Sequence, residues 1–391
     1  MNIIPAHRMA SFSSSIFSEL AQKKQEHLKR GAHIIDLSIG SPDLPPPTFV
    51  KKTIAEFSMN DHLYGYSLNG TEEFHQAVAS YYEKNDQVQL QADKEIVQLM
   101  GSQDGLVHLP MALSNPGDYI LVPDPGYTAY ATGIAMAGSI PYFMPLTKEN
   151  HFLPDFSEIP EHIALKSSMM ILNFPGNPIP IMATKELFEK AIAFAKKYNI
   201  IIVHDFAYSE LYYENEKPIS FLSLPGSMEV GIELNSLSKS FNMAGCRVAY
   251  ASGNKDIIST LKQLKSNLDY GVFLPIQKAA SLALQQGSIF NEEMRQIYKR
   301  RRDCLVYGLH DIGWHVDLPK AGMFVWAEIP HPLDSKTFAF ELMNRAHVAV
   351  TPGIAFGPSG EGYIRIALVE EEKVLLKAVQ QIKESAILSS Q

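Results

Sequence analysis

Lys239 lies in SLSKSFNMAGCR (residues 236–247), just past an apolar run, with Ser236, Ser238 and Ser240 around it and Arg247 eight residues on. An amine whose pKa is lowered by burial or by cationic neighbours can condense with an aldehyde. Serine hydroxyls and an arginine fork suit a phosphate. Taken alone, the segment also reads as a solvated surface lysine. In HDFAYSEL (204–211), Asp205 closes the apolar run NIIIV. An acid at the carboxyl end of a buried parallel strand lies where α/β sheets bind ligands; the plain alternative is a helix N-cap. Such a carboxylate can face a protonated ring nitrogen, and Tyr208 can hydrogen-bond a phenolate oxygen. Asn177 in NFPGNPIP (173–180) sits in what could be a plain turn. Ser102 and Gln103 in GSQDG (101–105) stand at a helix start, where backbone N–H groups can hold a phosphate. Tyr127 in PDPGYTAY (123–130) could lie flat on a planar ring or fill a core.

Each piece is weak alone, but each follows an apolar run, and together they fit one ligand with a phosphate, a pyridine ring and an aldehyde. The runs at 33–40, 95–101, 118–123, 140–145, 167–175, 199–205, 231–238 and 247–252 predict strands. They are continuously apolar rather than alternating, which implies burial on both faces. Segments 72–85, 105–114, 127–137 and 184–198 predict the helices between them. Alternation of this kind gives right-handed crossovers and a mainly parallel sheet, an α/β fold. From about residue 290 the pattern changes to a long charged helix (291–311), short strands at 313–317, 322–328, 347–351 and 362–367, and helices at 335–346 and 370–385. This divides the chain into an N-terminal segment (1–45), a large α/β domain (46–289) and a small α+β domain (290–391), with the first segment packing on the last. The basic run YKRRRD (298–303) reads as a solvated helix face, and His204 as a packed strand residue.

In this order, the motifs resemble those of the fold-type I, pyridoxal-phosphate-dependent aminotransferases of class I/II, from SIGSPDLPPP to GYIRIALV. HDFAYSE, SLSKSFNMAG, KSNLDYGVF and VTPGIAFGPSGEGYIRIAL are similar to the branch of LL-diaminopimelate and broad aspartate/alanine-type enzymes. The resemblance implies pyridoxal 5'-phosphate as cofactor and Lys239 as the Schiff-base lysine and proton shuttle. It implies Asp205 on the pyridine nitrogen, Tyr208 and Asn177 on the phenolate oxygen, and Tyr127 stacked on the ring. Ser102, Gln103, Ser236, Ser238 and Arg247 would hold the phosphate. Arg365 would pair with the substrate α-carboxylate, Gly40 would leave room for it, and Asn267 would reach the substrate side. Tyr64 or Tyr66 would reach the partner's phosphate in a homodimer. The implied reaction is ping-pong transfer of an amino group between an L-amino acid and a 2-oxo acid. A C–S β-lyase or a non-catalytic cofactor-binding protein on the same scaffold are the alternatives. Members commonly read NPTG where this chain reads NPIP (177–180), and Gln103 and Asn69 replace the Lys and Glu that diaminopimelate enzymes tend to carry.

Composition agrees with a soluble enzyme. Of 391 residues, 46% are hydrophobic, enough for a sizeable core. With 34 Lys+Arg against 42 Asp+Glu the net charge is −8, which argues against a nucleic-acid or membrane-surface partner. Two cysteines, Cys246 and Cys304, make no disulfide framework and suit a reducing compartment. No signal-like N-terminus or membrane-length apolar stretch is evident, so a cytoplasmic location is expected. The 13 histidines show no metal spacing, and no metal is expected.

Overall fold

The computed structural model describes residues 1, 3–6, 8–9, 12 and 16–389. The chain begins with α1 (Ile16–Lys29), β1 (Ile35–Asp36), α2 (Thr48–Phe57) and α3 (Glu72–Asp86). There follow β2 (Ile96–Leu99), α4 (Ser102–Leu113), β3 (Tyr119–Asp124), α5 (Ala129–Ala137), β4 (Ile140–Pro145), α6 (Glu161–Ala164), β5 (Ser167–Asn173) and α7 (Lys185–Tyr198). Next come β6 (Ile201–Asp205), α8 (Ser227–Val230), β7 (Gly231–Ser236), α9 (Leu237–Ser240), β8 (Ala249–Gly253), α10 (Lys255–Lys265), α11 (Leu274–Gln286) and α12 (Ser288–Asp311). The chain closes with β9 (Phe324–Glu328), α13 (Ser335–Glu341), β10 (Val348–Ala349), β11 (Thr351–Pro352), β12 (Tyr363–Ala367) and α14 (Glu372–Glu384).

Seven strands form the central sheet in the order β2-β8-β7-β6-β5-β3-β4. Only β8 runs against its neighbours; β7, β6, β5, β3 and β4 pair in parallel. Since β8 is antiparallel to both β2 and β7, β2 points the same way as the parallel strands. The carboxyl ends of β2, β3, β5, β6 and β7 therefore share one edge, and the candidate motifs begin at those ends. This is the α/β architecture with a mainly parallel sheet that the apolar runs predict. Its strands are buried on both faces. Ile202 of β6 joins Phe188 of α7 and Tyr82 of α3 on one side, while Val203 joins Leu106 of α4 and Tyr130 of α5 on the other.

A further apolar cluster gathers Leu305, Leu309 and Trp314 with Phe324, Phe338, Ile366 and Leu375. Ile35 and Leu37 of the N-terminal segment belong to it, and β1 pairs in parallel with β10. Beside it, β11-β12-β9 form an antiparallel sheet that carries Arg365 on its middle strand.

The structure departs from the sequence expectation in several places. The strand expected at 33–40 is only Ile35–Asp36, because the Asp36 carboxylate takes both the backbone N–H and the hydroxyl of Ser38. The strand expected at 313–317 is absent. There the Trp314 N–H turns back to the Leu309 carbonyl and the Val316 carbonyl accepts His310 Nε2 at 2.8 Å, so neither group is free for a ladder. The helix expected at 335–346 ends as α-helix at Glu341 and closes in a π turn at 342–346. The basic run is only in part a solvated face: Lys299 and Arg300 reach the surface, but Arg301 and Arg302 turn inward. Arg301 is 3% exposed, fork-to-fork with Asp43 at 2.7 and 2.8 Å, and Arg302 is 1% exposed, forked to Glu214 at 2.9 and 2.6 Å. Helices α1, α2, α10 and α11 and the one-turn helices α6, α8 and α9 have no counterpart among the helices expected from the sequence pattern.

Trp314 is fully buried, edge-on to Phe338, and its indole N–H donates to the Glu328 carbonyl at 2.8 Å. Trp314→Ala is expected to lower the unfolding free energy by about 3–5 kcal/mol in urea titrations. An unchanged midpoint would show that this core tolerates the cavity.

Candidate active site

Strand β7 ends at Ser236, which caps the short helix α9: its Oγ accepts the N–H of Ser238 at 3.2 Å. Ser240 Oγ bonds the Ser236 carbonyl at 3.1 Å. These serines shape the turn that points Lys239 inward; Ser236 and Ser238 are buried beside it and do not line the cavity. The Lys239 ammonium donates to the Gly40 carbonyl at 2.5 Å. Burial and then the charges of Arg365 and Arg247 bring its pKa down to about 8.

Asp205 ends β6 and is 4% exposed. Tyr130 donates to its Oδ2 at 2.9 Å, and the Ala207 N–H lies 3.3 Å from Oδ1. Burial raises its pKa, against the pull of these donors and of His204 and Lys239. Tyr208 follows on the same turn, and burial pushes its phenol up. Asn173 ends β5; its Nδ2 donates to the Asp205 carbonyl at 2.8 Å and its Oδ1 accepts the Asn177 N–H at 2.9 Å. Tyr127 follows β3 and stands edge-on to Tyr130, centroids 5.8 Å apart.

Arg365 enters from β12, 3% exposed. Its fork donates to Asn177 Oδ1 at 2.7 Å, the Ser38 carbonyl at 2.8 Å and Thr351 Oγ1 at 3.3 Å, all neutral. The rings of Phe324 and Phe356 flank it at 4.3 and 4.9 Å. Its Nε is buried without a partner. Burial lowers this arginine to about 10.

One cavity of about 430 Å³ joins Gly40, Ser102, Tyr127, Asn177, Asp205, Tyr208, Lys239 and Arg365. Arg247 lies at its margin, bonded to the Met100 and Ala244 carbonyls. A Cβ on Gly101 would fall 2.1 Å from an Arg247 nitrogen, so only glycine lets the guanidinium approach the start of α4. Gln103 is exposed, one position further along α4. Tyr64, Tyr66 and Asn267 lie outside this chain's cavity. Tyr64 donates to the Ser58 carbonyl at 2.8 Å, and Asn267 Nδ2 bonds the Gln263 carbonyl, one turn back, at 3.0 Å, so the expected reach of Asn267 to the substrate side is not made within this chain.

Sequence reasoning missed Tyr130, Asn173, Ser38 and Thr351. Asn173 carried the same signal as Asp205, a polar residue closing an apolar run. Tyr130 lies three residues past Tyr127, within the motif already singled out. Phe17, Leu20 and Lys24 of α1 also line the cavity, and no local pattern announces them.

Residues 32–382 match the family described as aminotransferase class I and II. The LL-diaminopimelate aminotransferase of Syntrophobacter fumaroxidans is 42% identical over 388 residues, 98% of this chain and 99% of its own. That of Moorella thermoacetica is 40% identical over 380 residues, 97% of each. Among solved structures, apo-BacF from Bacillus subtilis superposes with a TM-score of 0.94 at 38% identity, covering 100% of both chains. A probable N-succinyldiaminopimelate aminotransferase from Thermus thermophilus gives 0.90 at 33%, covering 95% of this chain and 100% of its own.

Because Arg365 is one of the charges that depress Lys239, Arg365→Met is expected to raise the titration midpoint of Lys239 above about 8. The pH dependence of Lys239 modification by a small amine reagent, read by peptide mass spectrometry, measures it. An unmoved midpoint would mean that burial and Arg247, without Arg365, set this amine.

Proposed function

The chain belongs to the aminotransferase class I and II family, and from that premise we propose that this cavity holds pyridoxal 5'-phosphate and exchanges an amino group between an L-amino acid and a 2-oxo acid. The observation that carries the reading is the meeting of a depressed amine, a desolvated carboxylate and a guanidinium bonded only to neutral groups in one cavity. Their chemistry fits the cofactor. Asp205 is a buried acceptor suited to a ring N–H⁺, Lys239 an amine suited to an aldehyde, and the start of α4 with Arg247 a cradle for a phosphate. Tyr208 and Asn177 would hold the ring's phenolic oxygen, and Tyr127 its face. Ser236 and Ser238 would serve the phosphate through the turn they build, and Gln103 from the exposed side of α4.

When bound, the cofactor supplies an aldehyde carbon and an electron-accepting ring. The protein's own groups do the rest. Arg365 trades neutral partners for the α-carboxylate, which gives its charge a counter-ion in a dry site. Gly40 leaves space there, since a Cβ would come within 3.6 Å of the guanidinium. Lys239 Nζ, with a pKa of about 8, gives up and regains its proton near neutral pH, as moving a substrate α-proton requires. Asp205 keeps a ring nitrogen protonated by staying ionised.

We also infer a homodimer. Tyr64, Tyr66, Tyr270 and Phe273 form an exposed aromatic strip, with Tyr64 5.2 Å from Phe273 and Tyr66 4.7 Å from Tyr270. Large exposed aromatics in one patch suit a protein interface. Asn267 lies three residues before Tyr270 of this strip, so its route to a substrate runs through a partner's cavity. Among the described residues no helix is long and apolar enough to cross a membrane.

Lys239→Ala is expected to abolish transamination and the absorption band of cofactor joined to the protein. Arg365→Lys loses the fork and is expected to lower kcat/KM for amino acids by about 10²–10³-fold. A panel of aspartate, glutamate, alanine, methionine, aromatic amino acids and LL-diaminopimelate names the donor. Pyruvate and ammonia released without a 2-oxo acid would replace transamination by β-elimination. Light scattering is expected to give twice the chain mass; a monomer active at full rate would sink the shared site.

A further inference from the structure

Lys265 is the last residue of α10 and is fully buried. An ammonium taken out of water calls for counter-charges, and two carboxylates supply them. Its Nζ donates to Asp104 Oδ2 at 2.5 Å and to Asp269 Oδ2 at 2.7 Å. Lys265, Asp104 and Asp269 all stand outside the cavity wall. Leu106 and Leu109 of α4 already pack with Ile258 and Leu261 of α10, so the two helices need no ion pair to stay together. A buried ion pair rarely adds stability over apolar residues of similar volume; fixing one arrangement is the role left to this one.

Asp104 stands in the first turn of α4, the helix start assigned to a phosphate. Its Oδ2 also accepts the Met100 N–H at 2.8 Å, reaching back past Gly101, and its Oδ1 lies 2.6 Å from His108 Nδ1. Against burial, the bonds to His108 and Lys265 hold this carboxyl below its usual range. The other side of the Met100 residue faces Arg247: its carbonyl takes Nη2 at 3.4 Å, and Gly101 leaves the gap that the guanidinium fills. One carboxylate thus fixes the turn that Arg247 rests on and from which Ser102 opens α4. Alone it would suit an anion site poorly, because like charges repel. Lys265 offsets that charge and holds the carboxylate in place. Asp269 anchors the lysine from the far side: its Oδ1 accepts the Gly271 N–H at 2.9 Å, and the Tyr270 carbonyl takes the Ser67 N–H at 3.1 Å.

We propose that Lys265 is a positioning residue for the cofactor's phosphate. Through Asp104 it holds the turn at residues 100–102, and Arg247 upon it, in the arrangement that accepts the anion, without touching the anion itself. The inference rests on the cofactor reading of the cavity given above.

The test titrates the full chain, freed of cofactor, with pyridoxal 5'-phosphate and separately with pyridoxal, which has the same ring and aldehyde but no phosphate. Each is followed by the absorption band of the ring joined to Lys239. Lys265→Met is expected to weaken the phosphorylated ligand about 10-fold and to leave pyridoxal unchanged. A lysine that merely supports the fold would weaken both alike; that result, or no change in either, overturns the inference. Asp104→Ala leaves Lys265 paired with Asp269, gives the answer where Lys265→Met fails to fold, and separates position from charge. If Lys265 acted only as a nearby positive charge, removing Asp104 would tighten the phosphorylated ligand. Positioning predicts that this variant too weakens it and spares pyridoxal, so tighter binding in Asp104→Ala overturns the inference. Wild-type protein that binds neither ligand would sink the proposed function, and the inference with it, before any variant is compared.

Discussion

Burial of charge without an equal opposite charge is the constraint on which this site depends. Arg365 is 3% exposed and bonded only to neutral oxygens. Removing a guanidinium from water costs several kcal/mol that neutral acceptors offset only in part. In the proposed function a substrate carboxylate would supply the missing charge, in a buried setting where the interaction is stronger than in water. Lys239 obeys the same logic with the opposite outcome. Its amine is buried and flanked by the Arg365 and Arg247 charges, so it gives up its proton more readily than an ordinary lysine.

The sheet makes this concentration of charge possible. Strands β2, β3, β5, β6 and β7 end on one edge, and the chain at or just past each end delivers a polar group: Ser102, Tyr127, Asn173, Asp205 and Lys239. The opposite wall comes from distant parts of the chain. Ser38 and Gly40 follow β1, Arg365 sits on β12, and Thr351 opens β11. These pieces are tied to each other directly: the Thr351 hydroxyl donates to the Ser38 carbonyl at 3.1 Å, and Arg365 is the register partner of Thr351. The cavity therefore lies between a wall fixed by parallel pairing and a wall fixed by a separate antiparallel sheet.

What was legible in the sequence follows from this division. Continuous apolar runs closed by a polar residue marked β5, β6 and β7 and, with them, Asn177, Asp205 and Lys239. Local pattern failed where tertiary contacts decide. Arg301 and Arg302 look like a solvated charge run, yet carboxylates from residues 43 and 214 draw them inside. A strand at 313–317 is allowed by its apolar residues, but the end of α12 takes the Gly313 and Trp314 N–H groups and the Val316 carbonyl first. The α1 side of the cavity could not be read at all. Lys24 reaches Asp36 at 2.7 Å and Ser38 at 3.2 Å, contacts that no helical periodicity encodes.

The turn at NPIP shows why a broken motif need not mean a broken site. Asn177 stays in place because its N–H is bonded to Asn173 and its side chain to Arg365. Gly176 is required by a close approach: a Cβ would fall 2.6 Å from the Ile179 carbonyl and 2.8 Å from that of Asn173. Past Asn177 the chain is held by packing rather than by polar groups. Ile179 is 5% exposed, in a cluster with Leu146, Trp326 and Phe356, and Pro180 abuts Gly322. Phe356 in turn lies over Arg365. The same apolar cluster thus fixes the turn that presents Asn177 and covers the guanidinium that Asn177 bonds. Here the contact between Asn177 and Arg365 is backed by an isoleucine and a proline packed from behind rather than by a polar turn.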